Sequence, residues 1–322
     1  MTEFSVAVFG GGSVGLCLAA HFAKAGARVF LLLRQSSMEA VRGKPIAVSG
    51  LLGDHLVPAE AYTICDASAP TDEVLGCDML VLTTKANDVE KALQPFANRL
   101  RCPPILLLQN GMGSSEIARE VIGSDVPLYS SAMMIGMVRQ SPISVEVTAQ
   151  SSPILCGSLL GDIEEPLKDL LQVAEQGFVP MVQDPSIRET ISFKLLFNSC
   201  MNPTGALTGQ TYGELLENPE SRELIVGLAD ETLATYAKAF DYRPADNGKQ
   251  YVDDVLAKIV FPRGQGHRSS MLQDLEDGRK TEIDFLNGAI IRLADDAGLP
   301  SIRHKSISQL IKASEASKAF RQ

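Results

Sequence analysis

Several things are scarce in this chain, and each scarcity closes off a class of function. Positive charge is one: 29 Lys and Arg stand against 39 Asp and Glu, for a net charge of −10. That balance argues against nucleic-acid binding and against docking on an anionic membrane. An anionic substrate therefore needs its own local cationic site. Histidine is scarce too: the four in 322 residues show no ligand spacing, which argues against a zinc site. The six cysteines (17, 65, 77, 102, 156, 200) form no CxxC pair and fit packing positions in a reducing cytoplasm. Met-Thr-Glu-Phe at the N-terminus has no basic region, and His21 and Lys24 interrupt the apolar stretch behind it. This argues against a signal peptide and a membrane span. Tryptophan is absent, yet 45% hydrophobic and 21% charged residues describe an ordinary globular protein. The length suits two domains.

What is present is an alternation of strand and helix signals. Val6–Phe9 is an apolar run ending in glycine, Ser13–Ala25 has helical periodicity, and Ala27–Leu33 is rich in Val, Phe and Leu. Residues 44–61 hold short alternating segments with Gly and Pro, the pattern of a hairpin excursion. "CDMLVLTTKA" (77–86) is a buried strand with a helix from Asp88, and "PPILLLQNG" is a strand with the helix "SSEIAREVIG" after it. "PLYSSAMMIGMVRQSP" and "VEVTAQSSPILCG" read as later strands. The alternation predicts a doubly wound parallel sheet. From Asp184 the texture becomes helical. The Asp-Pro signal opens a helix expected to last until the region of Pro203 and Gly205. Asn218 caps a helix over 219–240, and another is expected over 282–297. The predicted organisation is a domain over 1–186 and an all-helical domain over 187–322. With no linker or repeat between them, the two are expected to pack closely and leave a cleft.

Gly10-Gly11-Gly12-Ser13-Val14-Gly15 satisfies GxGxxG. The motif alone is a weak signal, but here it follows a strand, opens a helix and leads to a second strand. In that setting Gly10 permits the tight turn, Gly12 lets backbone approach a pyrophosphate, and Gly15 lets helix pack on strand. Backbone N–H groups and the helix dipole then favour phosphates. A glycine turn without ligand is the alternative. NAD sites end the second strand with an acid; here it ends "LLLRQSS". Arg34, with Gln35, Ser36 and Ser37 beside it, suits a 2′-phosphate and NADP(H). A solvated surface arginine is the plainer reading.

Lys194, Asn198 and Asn202 recur at i, i+4 and i+8 on one helical face. Their neighbours Phe193, Leu195, Leu196, Phe197 and Met201 are apolar, so the helix is expected to be largely buried. A buried cation and two amides need partners. A polar substrate or a structural network would supply them, and spacing does not choose. Glu282 follows Thr281 at an expected helix head, where acids are common. Ser269 and Ser270 are ordinary capping residues.

Taken in order, the glycine loop, "TTKA", "LLLQNGMG", "FKLLFNSCMNPTGAL" and "SSMLQDLEDGRKTEIDFLNG" resemble the ketopantoate reductase family over nearly the whole chain. The last two stretches are far more specific than the first. The resemblance implies a Rossmann-type domain followed by a helical domain like that of 6-phosphogluconate dehydrogenase. It implies reduction of 2-dehydropantoate to (R)-pantoate with NADPH, a small-molecule partner and a cytoplasmic enzyme. It assigns the pyrophosphate to Gly10–Gly15, the 2′-phosphate to Arg34, and cofactor contact to Lys85. Asn110 would touch both nicotinamide ribose and substrate. Lys194 would protonate the ketone oxygen; Asn198, Asn202 and Ser270 would bind substrate; Glu282 would sit close to cofactor and substrate.

The chain also departs from the family pattern. Some members carry asparagine where Tyr212 stands, others where His267 stands, and "SSAMMIG" replaces a threonine-rich strand. These departures leave open a related reductase of another branched 2-oxo acid or an imine. An idle NADP-binding protein is a third reading, against which Lys194 and Glu282 weigh. A homodimer is permitted but not demanded.

Overall fold

The computed structural model describes residues 3–259 and 264–319; Met1 and Thr2 of the N-terminal stretch lie outside the described residues. There are two compact units: the chain through Gln109 with Ser114–Arg188, and Asn110–Gly113 with the chain from Glu189 onward. Segment 110–113 thus packs with the helical unit, although it lies within the stretch 1–186.

The first unit is built on β1 (Ser5–Phe9), α1 (Ser13–Lys24), β2 (Arg28–Leu33), α2 (Gln35–Val41), β3 (Ile46–Gly50), β4 (His55–Val57) and β5 (Tyr62–Asp66). It continues with α3 (Asp72–Leu75), β6 (Met79–Leu82), α4 (Val89–Leu93), β7 (Ile105–Leu107), α5 (Ser114–Ile122) and β8 (Leu128–Ala132). It ends with β9 (Ile135–Ser141), β10 (Ser144–Gln150), β11 (Ile154–Gly157), α6 (Glu165–Ala174) and β12 (Met181–Gln183). Eight strands form one sheet in the order β12-β11-β8-β7-β6-β1-β2-β5. Every pair is parallel except β8 with β11. The expected parallel sheet is therefore present, with one antiparallel joint. Its central strands are continuous apolar runs because both faces are covered; β6, Met-Leu-Val-Leu, is wholly buried.

A second sheet, β4-β3-β10-β9, joins the hairpin over 46–57 to the hairpin over 135–150 through parallel β3 and β10. Helix α1 contacts all four of its strands as well as β1 and β2. A helix covered on two sides has no need of a polar face, and Gly15–Phe22 are all buried. His21 is the polar exception. Its Nδ1 accepts the backbone N–H groups of Phe178 and Val179, both at 3.0 Å. Burial lowers its pKa to about 4, so the ring is neutral and serves as a hydrogen-bond acceptor.

The second unit holds α7 (Ile187–Thr208), α8 (Tyr212–Glu217), α9 (Pro219–Phe240), α10 (Gly248–Gln250), a π-helical turn (Tyr251–Leu256), α11 (Ser270–Glu276), α12 (Asn287–Asp296) and α13 (Ile302–Ala319). No strand occurs in it among the described residues. Asn218 caps α9 as expected, its Oδ1 accepting from the N–H groups of Glu220 and Ser221. Two expectations need correction. Helix α7 does not stop at Pro203 but runs through it to Thr208. A proline inside a helix frees the carbonyl four residues before it, at a cost of about 3 kcal/mol or more. That carbonyl is Ser199 O, and it accepts instead from Asn287 Nδ2 at 2.9 Å. Asn287 is fully buried, and its Nδ2 also lies 3.0 Å from His304 Nδ1. Glu282 is the second correction. Helix α12 begins at Asn287, so Glu282 lies in the turn before it. Among the described residues, no helix is long and apolar enough to cross a membrane.

Candidate functional site

Within the first unit, β1 is flanked by β2 on one side and β6 on the other. Successive connections leave β1 in opposite directions there, the switch point at which open α/β sheets bind ligands. Gly10 follows β1 with φ of +120°, and a Cβ there would stand 2.7 Å from Thr83 Oγ1. Thr83 follows β6, and its hydroxyl donates to Phe9 O at 2.8 Å. A Cβ on Gly15 would meet Gly10 O at 2.0 Å, so helix and turn approach as closely as glycine allows. Gly12, the N-cap of α1, has nothing within 4 Å of where its Cβ would be. Gly12 thus faces open space at the head of a twelve-residue helix, a place that fits a pyrophosphate.

Arg34 follows β2 and is the N-cap of α2, a helix that begins at Gln35, among the residues read as extra donors. Its Nη2 lies 3.2 Å from Asp88 Oδ2. Lys85 is half-buried at the head of the short 3₁₀ turn Ala86–Asp88.

The chemistry-bearing side chains of the second unit gather around Asn110. The segment 110–113 is strapped to the turn before α12: Met112 N–H donates to Phe285 O at 3.0 Å. Gly111, with φ of +84°, would place a Cβ 2.1 Å from that same oxygen. This strap sets Asn110 beside Glu282, and α7 delivers Lys194 to the pair. Lys194 Nζ donates to Asn110 Oδ1 at 2.8 Å. Asn110 Nδ2 points at Glu282 Oε2, 3.4 Å away. Burial lowers the Lys194 pKa to about 8, with the Glu282 carboxylate partly opposing the change. Residues 172 positions apart in the chain thus form one chain of amine, amide and carboxylate.

Asn198 lies one helical turn beyond Lys194 and is half-buried. Asn202, a further turn on, is buried, and its Oδ1 accepts from the Tyr212 hydroxyl at 2.9 Å. The departure at Tyr212 is therefore a working contact. The Tyr212 ring packs edge-on against Phe197 at 5.4 Å and lies 5.0 Å from the His267 ring. Ser270, expected at the substrate, is exposed at the first position of α11. Its neighbour Ser269 is fully buried, caps Leu272 N–H and donates to Asn202 O at 3.2 Å. Tyr212, Ser269, Thr83 and Asp88 were not singled out as site residues by spacing. Their signal was weak: each owes its place to a partner distant in sequence or in an adjoining element.

The family model "Ketopantoate reductase PanE/ApbA" matches residues 6–160, and "Ketopantoate reductase PanE/ApbA C terminal" matches residues 186–315. The chain is 28% identical over 316 residues to the 2-dehydropantoate 2-reductase of Aquifex aeolicus, covering 96% of each. The PanE/ApbA family ketopantoate reductase of Ralstonia eutropha JMP134 superposes with a TM-score of 0.83, at 22% identity, over 98% of this chain and 100% of that one. D-mandelate dehydrogenase solved with NADH and anilino(oxo)acetate shares the fold as well, at a TM-score of 0.83 and 22% identity, over 98% of this chain and 99% of that one. The order of glycine cradle and Lys–Asn–Glu chain, and the matched models over both units, agree: this chain belongs to the ketopantoate reductase family and is an NAD(P)H-dependent oxidoreductase.

Proposed function

We propose that the protein reduces 2-dehydropantoate to (R)-pantoate, with NADPH as the preferred reductant. The observation that carries this is the Lys194–Asn110–Glu282 chain, in a protein whose curated relatives are named 2-dehydropantoate 2-reductase.

When bound, the reduced nicotinamide supplies a hydride to the ketone carbon. The remaining work falls to side chains. Negative charge develops on the ketone oxygen, and the Lys194 ammonium stabilises it and delivers the proton. A pKa near 8 keeps most of the amine charged at neutral pH while making the proton easier to give up than on a free lysine. Asn110 holds Nζ at a fixed distance from Glu282, so the ammonium is oriented without being neutralised by direct pairing. Asn198 and Asn202 offer uncharged amides to orient the substrate. The glycine cradle takes the pyrophosphate, Lys85 adds charge beside it, and Arg34 takes the 2′-phosphate.

The test is steady-state reduction of ketopantoate with NADPH and with NADH, beside a panel of other branched 2-oxo acids. Binding of NADPH without reduction of ketopantoate removes the substrate assignment. A preference for another oxo acid favours the related-reductase reading, which the Tyr212–Asn202 contact supports.

A further inference from the structure

An acid is missing from the end of β2, where NAD sites carry one, but it is not missing from the site. Asp88 reaches the same place from the far side of β1. It closes the turn after β6, and its Oδ2 stands 3.2 Å from Arg34 Nη2. Both side chains remain open, 74% exposed for Arg34 and 43% for Asp88. A mutual salt bridge between groups so exposed stabilises the fold little. The pair therefore has both its members available to a ligand.

The two members read opposite chemistry. A guanidinium offers donors and charge to a 2′-phosphate; a carboxylate accepts from a ribose 2′-hydroxyl and repels a phosphate. Set side by side at the end of β2, they serve both forms of the adenosine ribose. We propose that Asp88 is the ribose-reading acid of this site, and that the Arg34–Asp88 pair makes cofactor choice a balance: NADPH engages Arg34 and NADH engages Asp88. The inference rests on the dinucleotide reading of the first unit. It refines the NADPH preference from an exclusive choice to a graded one.

The geometry lets one site serve either cofactor. The guanidinium has five N–H donors, and a single contact to Asp88 leaves others for a phosphate. With NADH the same contact turns Arg34 aside and leaves the second Asp88 oxygen for the hydroxyl. With NADPH, the negative charge on Asp88 works against the phosphate at short range.

The experiment is a binding titration of the purified full chain with NADH and NADPH, followed by nicotinamide fluorescence and run with wild type, Asp88→Asn, Asp88→Glu and Arg34→Ala. Asp88→Asn is expected to weaken NADH about fivefold or more while NADPH holds or tightens, so the NADPH:NADH affinity ratio rises about tenfold. Asp88→Glu is expected to keep NADH within about threefold of wild type. Arg34→Ala is expected to weaken NADPH at least tenfold and NADH far less. An unchanged ratio in Asp88→Asn overturns the proposal. Wild type that binds neither dinucleotide sinks the reading beneath it instead, and Arg34→Ala that weakens both cofactors equally removes the phosphate assignment alone. Competition by 2′-phospho-AMP against AMP reports on the same subsite without the nicotinamide half.

Discussion

Asn287 is expected to be worth more to this fold than a polar residue at a helix start usually is. Its Nδ2 carries two hydrogens, and both are used: one on Ser199 O at 2.9 Å, one toward His304 Nδ1 at 3.0 Å. Burial lowers the His304 pKa to about 4, so the ring is neutral and Nδ1 is free to accept. Its Nε2 faces Leu228 O at 3.0 Å and Thr232 Oγ1 at 2.9 Å. Asn287→Ala leaves a buried carbonyl and a buried ring nitrogen without donors. Each unmet group costs about 1–3 kcal/mol, so for two groups the expected loss is about 2–6 kcal/mol. The sharper test adds Pro203→Ala. An alanine at 203 restores the N–H that pairs with Ser199 O, making the Asn287 contact redundant. A double-mutant cycle should then show a coupling of roughly 1–2 kcal/mol, with Asn287→Ala milder in the Pro203→Ala background. Urea unfolding followed by tyrosine fluorescence suits this measurement, because Trp is absent and Tyr212, Tyr236, Tyr242 and Tyr251 all belong to the second unit. Strict additivity of the two substitutions would show that Asn287 does not stand in for the missing proline N–H.

Further outcomes can be checked by kinetics and binding. In the proposed reaction the acid form of Lys194 is the competent one, so kcat/KM for ketone reduction should fall as pH rises through about 8. Glu282 raises that pKa, so in Glu282→Gln the alkaline limb should move to lower pH; a pH profile that moves upward or stays fixed contradicts the coupling. Tyr212→Phe deletes one buried hydrogen bond to Asn202, worth about 0.5–1.5 kcal/mol. It should raise KM for the oxo acid about two- to tenfold with kcat within twofold, and a fall in kcat at constant KM would place Tyr212 elsewhere in the cycle. Gly15→Ala drives a methyl toward Gly10 O, 2.0 Å away. Overpacking of that kind costs about 1–3 kcal/mol, and NADPH binding should be lost with it; unimpaired binding in a titration would show that the turn can yield.

The first βαβ unit was legible because each of its signals is local. Glycine at 10, 12 and 15, apolar runs on either side and a helix period between them all fall within 30 residues. The Asn218–Pro219 cap was legible for the same reason. The second sheet was not, because β3 and β10 pair across 97 positions, Ala47 opposite Ser144 and onward in parallel register; no local pattern announces such a pairing. Helix α2 escaped notice because its seven residues, Gln-Ser-Ser-Met-Glu-Ala-Val, carry no two-turn apolar stripe. Proline signalled a stop at 203, and a tertiary contact from Asn287 overrode it. At the site, Lys194 and Asn202 stood out as polar residues on an apolar helix, whereas Asp88 marked only the start of a helix and its contact with Arg34 spans 54 positions.

The strap at Asn110–Gly113 bears on how this protein can be taken apart. The second unit borrows these four residues from the middle of the first unit's sequence, so the chain passes from one unit to the other at 109/110, 113/114 and 188/189. A fragment beginning at Glu189 carries Lys194 and Glu282 but leaves behind the amide that joins them. A chimaera made at that single junction would import a stranger's loop into its own Lys194–Asn110–Glu282 chain. Grafting between relatives has to treat four residues near position 110 as part of the C-terminal half.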